Sequence, residues 1–267
     1  MRIGFFDSGL GGLLIFKSVA QKLPGYDYFY LGDTKRVPYG TRSPQAVYQF
    51  TKKAVAYLFS QKCQLIILAC NTASALALRK IQREYLPGPY PSRRVLGVII
   101  PTVEAALEER KIKRVGILAT SSTVQSGAFV KEFKKAGRKI KVFQQAAPLL
   151  VPLVESGGLK YAAPILKDYL RPLLKKNVEA IVLGCTHYPA LKNKIRQMVG
   201  RKIRIISPDE IIPEKLVDYL RRHPEIEKKL TKGGRQFFML TDLTPNFKKT
   251  ASVWLKKKIS LKLVDLG

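Results

Sequence analysis

Acidic residues are scarce in this chain of 267 residues: 19 Asp and Glu stand against 48 Lys and Arg, a formal net charge of +29. Histidine, with two copies, and cysteine, with three, are scarcer still. Three unevenly spaced cysteines make no disulfide framework, which points to a reducing, cytoplasmic setting. With no CxxC spacing, and with His187 and His223 as the only imidazoles, the sequence assembles no zinc-ligand set, so no metal is expected. Long apolar runs are missing too. The longest, such as Leu65–Cys70 and Val95–Pro101, fall short of the roughly 18–20 residues that a membrane-spanning helix needs. Asp7 also breaks any secretory hydrophobic segment at the start. No membrane association is expected. A dinucleotide fingerprint is absent as well: Ser8-Gly9-Leu10-Gly11-Gly12 has Leu14 where the pattern requires glycine. That argues against a nicotinamide oxidoreductase, even though Asp33 stands where a ribose-binding acid would.

The surplus of base raises nucleic acid as a partner. Its distribution argues for caution. Lys52-Lys53, Lys134-Lys135, Lys175-Lys176 and Arg221-Arg222 are scattered along predicted helices, and the densest run, Lys256-Lys257-Lys258, lies near the end. No zinc-finger spacing, basic-zipper heptad or aromatic ribonucleoprotein motif accompanies them. Solvated helix faces are the favoured reading, and nucleic-acid binding is the weaker alternative.

What is present is a regular alternation of short β-rich runs and longer helical stretches. Arg2–Phe6, Tyr26–Leu31 and the wholly apolar Leu65–Ala69 read as strands, the last suited to the buried centre of a parallel sheet. Leu13–Leu23 reads as a helix, and Ser43-Pro44 opens another, with Ser as cap and Pro at the first helical position, running to Ser60. Further strands are expected at Val95–Ile99, Arg114–Ala119, Lys139–Gln144, Ala180–Leu183 and Ile203–Ile206. The expected class is α/β, doubly wound, with mainly parallel sheets. The chain also echoes itself. Leu65-Ile66-Ile67-Leu68-Ala69-Cys70-Asn71-Thr72 matches Ala180-Ile181-Val182-Leu183-Gly184-Cys185-Thr186-His187, and Ile3–Ser8 more weakly matches Val115–Thr120. Two similar α/β domains follow, with a first boundary near residue 98.

In open α/β sheets, ligands gather outside the carboxyl ends of the strands. Asp7-Ser8, Asp33, Cys70-Asn71-Thr72, Thr120 and Cys185-Thr186-His187 all fall at such ends. Helix N-termini there suit a carboxylate and favour a thiolate. A lone cysteine after a buried strand is usually a small core residue, and Cys63 is read that way. Cys70 and Cys185 form a matched pair with polar neighbours. Two thiols flanking one carbon could remove a proton from one face and return one to the other, as amino-acid racemisation requires. Asp7 and His187 would then adjust proton affinity beside the sulfurs. The segment Val37-Pro38-Tyr39-Gly40-Thr41-Arg42 reads either as a rigid lid or as an ordinary connection.

At this point the sequence resembles the cofactor-independent glutamate racemases, within the wider aspartate/glutamate racemase group. The matching stretches are Phe6–Gly12, Gly32–Gly40, Ala69–Ala75 and Leu183–Pro189, with weaker matches at Ala119–Gly127 and Val151–Glu155. The resemblance implies that Cys70 takes the α-proton of D-glutamate and Cys185 that of L-glutamate, with no cofactor. Asp7, His187 and Glu155 would assist them. Substrate contacts would fall on Asp7, Ser8, Tyr39, Gly40, Asn71, Thr72, Thr120, Thr123, Thr186 and His187. It also implies that the chain returns to the first domain after about residue 207, giving domains 1–97 plus 208–267 and 98–207, with the active site in the cleft between them. The product would feed peptidoglycan synthesis, and a homodimer is expected. Thr102 and Ala147 depart from the family pattern, which commonly has glycine and cysteine there, at positions not expected to do chemistry.

Overall fold

A computed structural model describes residues 1–267 in full. Its ten strands are β1 (Arg2–Asp7), β2 (Tyr28–Gly32), β3 (Cys63–Leu68), β4 (Arg94–Gly97), β5 (Arg114–Ala119), β6 (Lys141–Ala146), β7 (Ala180–Gly184), β8 (Arg204–Ile206), β9 (Gln236–Leu240) and β10 (Leu261–Leu263). They form two sheets, ordered β10-β9-β2-β1-β3-β4 and β6-β5-β7-β8. Every pairing is parallel. Parallel neighbours need crossovers, and helices supply them on both faces of each sheet. That is why the central strands read as unbroken apolar runs: β1, β3 and β7 are buried along nearly their whole length.

Each sheet is sandwiched between two apolar clusters. On the first sheet, Phe5, Phe16, Tyr28 and Ile67 pack with the Pro208–Arg222 helix on one face, and Phe6, Phe29, Val55 and Leu68 with the Pro44–Ser60 helix on the other. The second sheet is treated likewise by Leu183, Leu166 and Ile195 on one side and Ile117, Phe129 and Val103 on the other. The Pro44–Ser60 helix starts as its sequence dictates: Ser43 is extended and its side chain accepts a hydrogen bond from the Ala46 amide, with Pro44 at the first position.

The architecture is the α/β one expected, with three corrections of detail. The run Val95–Ile99 is not one strand, because the chain leaves the sheet at Gly97 and a helix begins at Ile99. The strands expected at Tyr26–Leu31 and Lys139–Gln144 each start two residues later. Strands β9 and β10 were not anticipated. Strand β10 is the sheet's edge, three residues long and broken by Lys262, and β9 lies between it and β2; β9 does carry the apolar run Phe237–Leu240, but both strands are only partly buried.

Candidate active site

Because the strands of each sheet run parallel, all their carboxyl ends lie on one side. The residues that follow β1, β3, β5 and β7 meet there. Ser8, Tyr39, Gly40, Cys70, Asn71, Thr72, Thr120, Cys185, Thr186 and His187 line a single pocket, closed by Val37, Pro38 and Val151. The walls close on one another, leaving a free volume of about 20 Å³, room for little more than a water molecule. The lining is polar, and the space is far too small for a dinucleotide.

The first sheet contributes one thiol. Cys70 ends the extended approach from β3 and caps the Asn71–Leu76 helix, its sulfur accepting a hydrogen bond from the Ala73 amide at 3.5 Å. The thiol donates to Ser8 Oγ at 3.4 Å. The sequence suggested that a helix N-terminus would favour the thiolate here. Instead, burial and the neighbouring Asp7 carboxylate push the Cys70 thiol up to about 12, outweighing its hydrogen bonds with Ser8 and Ala73. The desolvation of a fully enclosed sulfur exceeds what one short helical turn returns.

The second sheet contributes the other thiol. Cys185 follows β7, and the chain there makes a turn before the short Tyr188–Leu191 helical turn, not an immediate helix. Its sulfur lies 3.8 Å from His187 Nδ1, and His187 Nε2 lies 2.9 Å from Glu155 Oε1. Burial acts to lower the imidazole's affinity for protons. Its bonds to Cys185 and Glu155 and their charges win, and His187 is held well above its ordinary range. A buried imidazole with raised proton affinity therefore sits between a sulfur and a carboxylate.

Asp7 is fully buried behind the pocket wall. Oδ1 accepts from Thr186 Oγ1 at 3.0 Å and Oδ2 from the Gly9 amide at 3.0 Å. Burial raises its carboxyl, against the opposing charge of His187 and those hydrogen bonds. Glu155 stands behind His187 in the same way. Thr123 also lies outside the lining, in a triangle of hydroxyls: Thr72 is 2.9 Å from Thr120 and 3.2 Å from Thr123, and Thr120 donates to Thr123 at 2.9 Å. That triangle ties the Asn71–Leu76 helix of one sheet to the Ser121–Ser126 helix of the other. Tyr39 donates to Asp33 at 2.5 Å, and Asp33 also receives Thr241 and Arg36. Asp33 thus holds the 37–42 segment in place, and both its oxygens are engaged within the protein. Asn71 is the exception to this tight pairing. It lines the pocket, and neither atom of its buried amide has a partner in the protein, a cost that a bound ligand would remove.

Two participants escaped the sequence reading. Tyr30 donates to the Gly9 carbonyl at 2.9 Å and fixes the loop after β1. Trp254, the only tryptophan, stands edge-on to His187 with ring centres 6.1 Å apart. It lies on the Pro245–Leu255 helix, far from any motif, and only its uniqueness marked it. His223 pairs with Glu225 beside the short Pro224–Glu227 helix and takes no part. Cys63 is buried in the core, as expected of it.

A polar pocket at the joint of two parallel α/β sheets, with one thiol from each, is the layout of an amino-acid racemase. The chain belongs to the Asp/Glu/hydantoin racemase family, whose sequence pattern matches residues 14–214. The glutamate racemase of Dinoroseobacter shibae is 37% identical over 99% of this chain and 99% of its own length. Glutamate racemase isoform RacE1 from Bacillus anthracis has a crystal structure that matches with a TM-score of 0.90 at 32% identity, covering 99% of this chain and 97% of that one. Glutamate racemase from Francisella tularensis, solved in complex with D-glutamate, matches with a TM-score of 0.88 at 31% identity and the same coverage.

Proposed function

We propose that this protein is a glutamate racemase in which Cys70 and Cys185 exchange protons with the two faces of the α-carbon, supplying D-glutamate for cell-wall peptidoglycan. The observation that carries the reading is that both sulfurs, 115 positions apart in the chain, line the same small pocket.

In the direction from L to D, the deprotonated sulfur of Cys185, beside the His187 ring, takes the α-proton of L-glutamate. Cys70, held as a thiol by burial, returns a proton to the opposite face, leaving D-glutamate, a Cys185 thiol and a Cys70 thiolate. The reverse direction exchanges the roles. Asp7 and Glu155 act through Thr186 and His187, keeping charge balanced behind the wall. The carbanion needs fixed dipoles rather than mobile charge. The unpartnered Asn71 amide, Ser8, Thr72, Thr120 and Thr186, with Tyr39 and Gly40 across the pocket, are the proposed substrate contacts, and Thr123 supports them. The division into 1–97 with 208–267 and 98–207 belongs to this proposal; the strands of the two sheets fall on either side of those limits.

Incubation with L-glutamate in deuterated water tests it. D-glutamate carrying deuterium at the α-carbon should accumulate without added cofactor, while unconverted L-glutamate stays protonated early in the reaction. Cys70→Ala and Cys185→Ala should each abolish racemisation. Full activity in either variant would refute the two-thiol mechanism, and turnover of aspartate in place of glutamate would refute the substrate. Racemisation has an equilibrium constant of one, so kcat/KM must remain equal in the two directions in any partly active variant.

A further inference from the structure

The same parallel topology that gathers the pocket at one end of the second sheet gathers something else at the other. The segments leading into β5, β6 and β8 repeat one pattern: Arg110-Lys111-Ile112-Lys113, Arg138-Lys139-Ile140-Lys141 and Arg201-Lys202-Ile203-Arg204. Lys175-Lys176 precedes β7. Register places these segments side by side. Arg114 pairs with Lys141 across β5 and β6, Val115 with Ala180 across β5 and β7, and Ala180 with Arg204 across β7 and β8. Neighbouring strands lie about 4.8 Å apart, so four of them make a face roughly 15 Å wide.

Within each repeat the isoleucine turns inward, packing on the core, and carries the cations on the outside. Counting Arg114, the four segments hold twelve Lys and Arg, ten of them exposed. Two carboxylates adjoin them, and both are engaged: Glu179 accepts the Lys113 and Arg114 amides and Glu109 pairs with Arg204. Four connecting helices also end here, and each helix C-terminus presents about half a negative charge. Arg138 answers part of that by donating to the Leu107 and Arg110 carbonyls. Some two negative charges from helix ends and two carboxylates cannot balance twelve cations. Capping the fold does not account for this surface.

We propose that this pole of the second sheet docks on the phosphate backbone of a nucleic-acid duplex. Charge complementarity selects a polyanion, and guanidinium groups spaced among the lysines suit phosphate oxygens. No large apolar side chain is exposed in the four segments, so the face has nothing to insert into a lipid layer. Since the pole lies at the amino ends of strands whose carboxyl ends carry the pocket, docking and racemisation are independent.

Fluorescence anisotropy with a labelled 20-base-pair duplex, titrated in salt, tests this. The full chain should bind above 100 mM salt, with affinity falling steeply as salt rises. Lys111→Gln/Lys113→Gln/Arg201→Gln/Lys202→Gln should weaken binding about tenfold or more and flatten the salt slope by up to ~3.6, about 0.9 per lost phosphate contact. A control on the first sheet's side, Lys228→Gln/Lys229→Gln/Lys258→Gln/Lys262→Gln, removes the same charge and should change binding less than threefold. Racemase activity, measured for both, confirms that each is folded. Equal losses in the two variants would reduce the effect to net charge and overturn the proposal. So would absence of binding above 100 mM salt, or tighter binding to phosphatidylglycerol vesicles than to the duplex.

Discussion

Gly11 lies so close to Thr186 that a Cβ added to it would overlap the threonine hydroxyl and stand 2.7 Å from His187 Nδ1. The loop after β1 and the loop after β7 therefore touch backbone to side chain at the joint of the two sheets. The glycine-rich stretch that fails as a dinucleotide fingerprint has this role instead.

Gly11→Ala is accordingly expected to lower stability by about 1–3 kcal/mol, the range for overpacking a filled site, and kcat/KM by at least tenfold through displacement of Thr186 and His187. Gly25, with open space around it, provides the control: Gly25→Ala should leave both unchanged. Thermal unfolding and racemisation rates measure the two effects.

Alkaline pH should destabilise the protein. Burial raises both Cys63 and Cys70 to about 12 from an ordinary thiol value near 9. Each favours the fold fully below the unfolded value and loses that contribution as pH rises from about 9 towards 12. In that window each thiol contributes up to ~1.4 kcal/mol of lost stability per pH unit. Cys70→Ser should flatten the slope of unfolding free energy between pH 9 and 11; an unchanged slope would contradict the burial of its charge.

The single tryptophan gives a direct optical readout of His187. A protonated imidazole quenches indole emission, so Trp254 fluorescence should increase as pH rises through the raised His187 transition, above the ordinary 6.5. Glu155→Gln removes a carboxylate 2.9 Å from the ring and should move the midpoint down. An unshifted midpoint would show that Glu155 does not hold the proton on His187.

The hydroxyl triangle is testable without touching the pocket wall. Thr123→Val leaves Thr72 and Thr120 bonded to each other and removes the third hydroxyl from a buried position. A loss of about 1–3 kcal/mol is expected, with KM for glutamate changed little. A large KM effect with no stability loss would place Thr123 against the substrate instead.

The strands that matter were legible because parallel sheets bury both faces: Leu65–Ala69 and Ala180–Leu183 could hardly be anything else. The matched Cys70 and Cys185 stood out for the same reason, each being the first polar step after such a run. The short edge strand β10 was not legible, since three half-exposed residues interrupted by Lys262 carry no comparable signature, and the apolar run Phe237–Leu240 of β9 was passed over. Nor was the supporting role of Asp33, whose partners Tyr39 and Thr241 meet it only in the folded chain.

The order of residues alone thus determined the α/β class, the central strands and the two sulfurs at their ends, because local periodicity and burial are written into short runs. Proton affinity and surface charge were decided by the tertiary structure. Cys70 is pushed towards the thiol by what encloses it, His187 gains proton affinity from Glu155 on a distant segment as well as from nearby Cys185, and the basic pole exists because parallel pairing brings four distant segments to one edge. Electrostatic energies depend on distance and solvent exclusion, and neither is a property of neighbours along the chain.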